Sequence, residues 1–315
     1  MRAALTALTD ELKRLKSTGV TSVCVSPEGI AALRKAVASR TVASKPVASP
    51  SPAPLRQTDS VRPASAEPAR TPRAAEGATK ADAPSNRLPP PPVFTLPAGD
   101  KTSRWEWLRS QVLTHPVCMA NVRPGKQVVL GVGSLDAKIM FIGEAPGAEE
   151  EVRGEPFVGP AGQLLTRMIG AMGLKREEVY IGNIMNWRPQ IPTPSGMEQV
   201  GNREPTPEEM AFCLPFLRAQ IEVVAPTLIV AVGATAAKGL LGAGSFKTLG
   251  DVRGQWREFC GKPVMVTYHP SYLLRQAAAG PAAEKKAKRA TWEDLLKVME
   301  RAGLTISDKQ RSYFL

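Results

Sequence analysis

Four short apolar runs set the terms for most of this chain: AKIMFIG (137–143), EVYIGNI (178–184), TLIVAVG (227–233) and KPVMVTY (262–268). Each is rich in β-branched or aromatic residues and meets a Gly, Asn or Pro break, as buried strands do. Helix-like segments lie between them: AGQLLTRMIGAMG, TPEEMAFCLPFLRAQIEVV and TAAKGLLG. TSRWEWLRSQVLTH precedes the first run, and ATWEDLLKVMERAG follows the last. Thr206 stands before Pro207, Glu208 and Glu209, which predicts a helix start with a capping hydroxyl, an N1 proline and acids at the positive end of the dipole. Alternating strands and helices predict a three-layer α/β/α sandwich around a central four-stranded parallel sheet. In such sheets ligands bind beyond the carboxyl ends of the strands, so the residues just after each run are the candidates for chemistry.

This pattern occupies residues 101–315. Residues 41–100 hold 13 prolines and 12 alanines, a composition that predicts a disordered linker. Residues 1–40 carry Leu5, Leu8, Leu12 and Leu15 at helical spacing, which predicts a short helical extension too small for a core of its own. The net charge of +12 favours an acidic partner such as nucleic acid. The four cysteines are far apart, which excludes a dense disulfide scaffold or a CxxC zinc ribbon. With only two histidines, His115 and His269, metal and acid–base chemistry is narrowly limited. No apolar run is long enough to span a membrane, and the first residues lack the uncharged core of a secretory signal. The expected location is the cytoplasm.

After the first run comes the irregular turn Gly143-Glu144-Ala145-Pro146-Gly147, then Glu149, Glu150 and Glu151, then Phe157 and Gly159-Pro160-Ala161-Gly162 opening a helix. Taken alone, the acids read equally as a solvated βα loop. Asn183 ends the second run, where its amide can pair with the polar edge of a base or simply form a turn. The third run leads into GATAAKGLLG, read as a tight turn without chemistry. The fourth leads to His269 in TYHPSYLLRQ, read as a loop with an apolar tip and a cation.

Together these loops resemble the uracil-DNA glycosylases, and within them the family 4 group, also labelled phage-type DNA polymerase-related proteins. The resemblance covers about residues 115–300 and rests on GEAPG (143–147), PFVGPAG (156–162), YIGNI (180–184), GNREPTPEE (201–209) and HPSYLLR (269–275). It implies hydrolysis of the bond between uracil and deoxyribose in DNA, leaving an abasic site, as in base excision repair. The base must first leave the stack. The resemblance assigns Phe157 to stacking on the flipped uracil, Asn183 to its polar edge, Glu150 to the space beside carbon 5, and His269 to the uracil oxygen as charge develops. Glu144 takes the water and the cation-like sugar, and Ala145 lies in the uracil pocket at a position where other families carry a side chain able to orient water. Gly147, Gly162, Arg253, Ser271, Leu273, Leu274 and Arg275 are the expected DNA contacts, with Leu273, Leu274 and Arg275 resembling a loop that fills the vacated stack. Lys285, Lys286, Lys288 and Arg289 read either as phosphate contacts or as a solvated helix face.

The chain departs from that family in two ways. Family 4 enzymes hold a [4Fe–4S] cluster on four cysteines, because such clusters require thiolates. Here Cys118 and Cys213 match two ligand positions, His115 and Trp187 replace the others, and no cluster or other cofactor is expected. Residues 190–200, QIPTPSGMEQV, are an insertion, expected to cover the DNA product or the uracil pocket. The expected partner is uracil-containing DNA, bound by a monomer. Residues 1–100 are a candidate tether for a repair or replication protein. The alternative function is a DNA-damage-binding protein that has lost turnover.

Overall fold

The computed structural model describes residues 88–193 and 197–315. The expectations for residues 1–40 and for 41–87 lie outside the described residues. Residues 88–100 are not the disordered linker expected, because Leu88, Phe94 and Leu96 pack against the core and the Phe94 ring stacks 5.6 Å from Phe216. The body is built around a six-stranded sheet of order β1-β3-β2-β4-β6-β5. Its strands are β1 (Val132–Gly133), β2 (Ile139–Gly143), β3 (Tyr180–Asn183), β4 (Leu228–Val232), β5 (Trp256–Phe259) and β6 (Lys262–Thr267). The four central strands are the four apolar runs, and they pair in parallel. The two edge strands are antiparallel additions that the sequence pattern did not reveal. β1 is only two residues long, and β5 has the burial pattern of an edge, with Arg257 and Glu258 exposed and no apolar run to announce it.

Residues of β2 alternate between two cores. Met140 and Ile142 join one face, with Tyr180, Phe212, Phe216 and Trp187. Ile139 and Phe141 join the other, with Leu165, Ile169, Trp292 and Leu295. Helices α1 (Lys101–Leu113), α2 (Pro116–Ala120) and α5 (Pro207–Val224) contribute to the first core. Helices α4 (Pro160–Ala171) and α8 (Pro281–Arg301) contribute to the second. The shorter helices α3 (Ala148–Arg153), α6 (Ala234–Leu241), α7 (Pro270–Ala279) and α9 (Asp308–Arg311) follow loops around the sheet. This is the three-layer arrangement, with strands buried on both faces as a parallel sheet requires.

The start of α5 follows its sequence signal. The Thr206 hydroxyl accepts from the Glu209 N–H at 3.2 Å, and the Glu209 carboxylate accepts from the Thr206 N–H at 2.8 Å. This reciprocal box satisfies two donors that a helix start otherwise leaves open.

The segment after β6 is not the loop expected from TYHPSYLLRQ. It is α7, and His269 is its N-cap. Leu273 therefore points inward and is only 4 % exposed, so it does not stand at an apolar tip. Leu274 is half-buried and Arg275 exposed, one and two positions further along the helix. α8 begins ahead of the expected segment and carries the basic run. There Lys288 pairs with Glu284 at 2.6 Å and Arg289 with Glu293 at 2.8 Å, the i,i+4 contacts of a solvated helix face.

Candidate active site

The carboxyl ends of β2, β3, β4 and β6 open into a cleft of about 790 Å³. Glu144, Ala145, Gly147, Glu150, Phe157, Asn183, His269, Ser271 and Arg275, all singled out in the sequence, line it. Sheet register explains part of this convergence. Gly143 of β2 pairs directly with Asn183 of β3, and the Gly233 N–H after β4 donates to the Thr267 carbonyl of β6 at 2.9 Å.

Gly143 has to be glycine. A Cβ there would collide with the Phe157 ring and lie 2.5 Å from Asn183 Oδ1. Gly162 is equally constrained, because a Cβ would run into the Phe157 carbonyl. Phe157 itself sits at φ +55°, a left-handed conformation that costs a non-glycine residue about 1–3 kcal/mol. Its surroundings hold it there. Glu150 accepts from the N–H groups of Val158 at 3.1 Å, Gly159 at 3.0 Å and Gly147 at 3.2 Å, tying two loops together. Arg176 donates to the Pro156 carbonyl at 2.7 Å. The Phe157 ring ends 5.7 Å from the His269 ring, centroid to centroid.

Asn183 is buried, and its Oδ1 has no hydrogen-bond partner among the described residues. A buried unpaired carbonyl costs about 1–3 kcal/mol, which a ligand offering a donor would recover. His269 is polarised by its own helix. Its Nδ1 accepts from the Ser271 N–H at 3.1 Å and lies 2.7 Å from the Ser271 hydroxyl. With Nδ1 accepting, the neutral ring carries its proton on Nε2. Burial pulls the imidazole down to about 4, helped by the Arg275 cation and opposed by Glu150. At neutral pH, His269 is therefore an uncharged donor.

Burial raises the Glu144 carboxyl above its ordinary value, and the nearby Glu204 adds to the effect, while the Thr235 hydroxyl and Lys238 oppose it. Lys238 pairs with Glu204 at 2.7 Å, and the Thr235 hydroxyl donates to the same carboxylate at 3.3 Å. The turn after β4, read as free of chemistry, thus supplies Thr235 beside Glu144. The rule that directs attention past every strand end was sufficient to find it. Asn202, Arg203, Tyr268 and Tyr272 also line the cleft.

Arg253 has another occupation than the expected phosphate. It pairs with Asp294 at 2.8 Å, donates to the Ala290 carbonyl at 2.8 Å, and lies 5.0 Å from the centre of the Tyr268 ring.

The insertion is rooted at the cleft rim, next to Pro189 and Asn202. Gln199 is buried. It donates to the carbonyls of Pro189 and Gly201 and accepts from Arg123 at 2.6 Å. Arg188, also buried, pairs with Glu151 at 2.7 Å and donates to Asn202 Oδ1 at 2.8 Å.

The four family cluster positions do converge in the first core, and the residues present do not fit a cluster. The Asn186 N–H bonds Cys213, and Cys118 is near enough to act on it electrostatically. Burial pushes the Cys118 thiol up to about 12 and raises Cys213 as well, so neither is a ready thiolate. Trp187 is 1 % exposed, with its ring 5.9 Å from Phe212. The His115 ring lies 5.5 Å from Phe212 and 5.4 Å from Phe216, and its Nδ1 caps α2 through the Val117 N–H. Aromatic rings fill the volume, and among the described residues no group of three or more His, Cys, Asp or Glu side chains is placed to hold a metal ion.

Comparisons with known proteins identify the family. Residues 130–296 match the family described as the uracil DNA glycosylase superfamily. A type-4 uracil-DNA glycosylase from Thermotoga maritima is 44 % identical over 171 residues, which are 54 % of this chain and 80 % of the relative. The type-4 enzyme from Archaeoglobus fulgidus is 43 % identical over 46 % of this chain and 71 % of its own. That from Pyrobaculum aerophilum is 40 % identical over 49 % and 76 %. The chain belongs to the uracil-DNA glycosylase superfamily, with the type-4 enzymes as its relatives.

Proposed function

We propose that this protein is a monofunctional uracil-DNA glycosylase that works without an iron–sulfur cluster. The observation that carries the reading is the unpaired Asn183 Oδ1, buried in one cleft with the Phe157 ring and a neutral, proton-donating His269. Uracil offers an N–H beside a carbonyl, and an amide meets both, accepting at Oδ1 and donating from Nδ2. Cytosine offers an unprotonated ring nitrogen and an amino group, so both contacts reverse. Phe157 supplies the stacking face for the extruded base. Glu150, fixed by its three backbone donors, is a rigid wall beside the base, and that rigidity suits a role in excluding a methyl group.

In the reaction the bond from the sugar carbon to uracil breaks, and its electron pair stays with the base. The His269 Nε2–H donates to the oxygen on which that charge collects. A fixed donor in a dry site is worth about 10²–10³ in rate. Glu144 as a carboxylate steadies the cation-like sugar and the attacking water, whose oxygen joins the sugar while the proton it releases balances the one taken up by the departing uracil anion. Ala145 contributes no base. Among the described residues no lysine lines the cleft, which supports hydrolysis by water that leaves an intact abasic site.

The cleft is complete within one chain, which supports action as a monomer. No helix among the described residues is long and apolar enough to cross a membrane, and action on chromosomal DNA is consistent with a cytoplasmic setting. Arg275, exposed beside the cleft, is the phosphate contact in this reading, and the rooted insertion slows release of product.

The test is incubation in EDTA with a single-uracil oligonucleotide, followed by alkali to cut abasic sites. Cleavage by wild type that collapses in Asn183→Ala and His269→Ala is the expected result. Retention of uracil DNA without cleavage would replace this reading with that of a damage-binding protein. Deleting residues 191–199 is expected to relieve product inhibition, and an unchanged inhibition constant would remove the insertion from the account.

A further inference from the structure

Two tyrosines at the rim of the cleft are stacked on each other. The rings of Tyr268 and Tyr272 are 4.4 Å apart at 24°. Both are half-buried, and both line the cleft. The Arg253 guanidinium lies 5.0 Å from the Tyr268 centroid. A ring at 4.4 Å fills one face of Tyr268, so the guanidinium belongs to the other. Arg253 is in turn held by Asp294 and the Ala290 carbonyl. The result is a braced ladder of cation, ring and ring, with Tyr272 as its outer rung. Among the described residues no further ring or cation lies over Tyr272.

We infer that the open face of Tyr272 is a second nucleobase site, which stacks the base next to the flipped uracil. The inference rests on the glycosylase reading. Nucleobases stack on aromatic faces whatever their sequence, and a cation behind the rings strengthens their pull. The site is also tied to the chemistry. Tyr272 donates its backbone N–H to the His269 carbonyl at 2.9 Å, in the same helical turn. A base seated on Tyr272 therefore anchors the strand within one helical turn of His269, adding binding that is the same in the ground and transition states. Arg275 follows one turn further on and is exposed, where the phosphate beyond that base would pass.

The experiment uses single-stranded oligonucleotides with one uracil, whose neighbour on the 3′ or the 5′ side is either 2-aminopurine or a reduced abasic spacer. With wild type, the spacer on the stacking side is expected to raise KM about ten-fold and leave kcat unchanged. Tyr272→Ala is expected to raise KM by a similar factor on the base-bearing strand and to be indifferent to the spacer. Tyr272→Phe should behave as wild type, since the ring rather than the hydroxyl is used. Inhibition by free uracil should be the same in all three, which shows that the uracil pocket is intact. The inference is overturned if Tyr272→Ala responds to the spacer as strongly as wild type, or if Tyr272→Phe loses as much as Tyr272→Ala. Should wild type release no uracil, the glycosylase reading fails on its own. The stacking site is then judged by quenching of 2-aminopurine on binding: loss of quenching in Tyr272→Ala supports it, and its absence in wild type overturns it.

Discussion

Asn183 and Trp187 are four positions apart, and the two ends of that short stretch have opposite surroundings. Asn183 lines the cleft with a buried acceptor that has no partner among the described residues. Trp187 faces the first core, where the family would place a cluster ligand, and is packed among Phe212, Phe216, His115 and two protonated thiols. The cleft keeps hydrogen-bonding capacity that, in the proposed reading, an extruded base takes up. The core carries rings at positions where the resembled family has cluster ligands, and these stabilise by packing. Chemistry and stability are therefore carried by separate residues on either side of one loop, and substitutions should affect one or the other.

The largest expected effect is on the cleft side. His269→Ala should lower kcat by about 10²–10³, measured by single-turnover excision. Gly143→Ala should cost about 10²-fold in kcat/KM with little change in melting temperature, because the new methyl group displaces both Phe157 and the Asn183 amide. On the core side, Trp187→Ala should remove about 3–5 kcal/mol of folding stability in urea titration, with kcat unchanged below the melting range.

The pH dependence separates the two acids and bases of the cleft. His269 is already neutral well below its ordinary range, so kcat/KM should show no limb near pH 6.5. The acid limb belongs to Glu144, whose burial raises it above 4.5, and Glu144→Gln should remove that limb. Folding stability, unlike kcat/KM, should register His269. The unfolded imidazole gains a proton near pH 6.5 while the folded one resists until about 4, so stability falls as pH drops through that window. Asn replacing His269 should flatten that part of the fall.

The smallest effect sharpens the comparison most. Among the described residues Trp187 Nε1 is buried without a partner, as Asn183 Oδ1 is, yet Trp187 sits in apolar packing. Trp187→Phe removes the orphaned donor and keeps a ring, so the expected change in stability is within about 1 kcal/mol.

The sequence made much of this visible. The four central strands, the Thr206 cap and the cleft residues after each strand follow from apolar runs and strand ends. What stayed hidden has physical reasons. β5 is a four-residue edge, Trp-Arg-Glu-Phe, whose two polar residues are adjacent, so no period-two alternation marks it. Arg253 finds Asp294 41 positions away, a pairing no local pattern records. Leu273 turns inward because Pro270 sits at the first position of a helix capped by His269, and a His-Pro pair serves a loop or a helix start equally well. The Tyr268–Tyr272 stack depends on the junction of β6 and α7, which the loop reading of that segment concealed.

One pair of measurements goes to the centre of the account: kcat for uracil release in EDTA, and melting temperature, for Asn183→Ala and Trp187→Ala side by side. The account predicts a crossing, with Asn183→Ala melting like wild type and excising poorly, and Trp187→Ala melting early and excising normally at low temperature. Loss of excision in Trp187→Ala at an unchanged melting temperature, or excision by wild type that vanishes on chelation of iron, would contradict it.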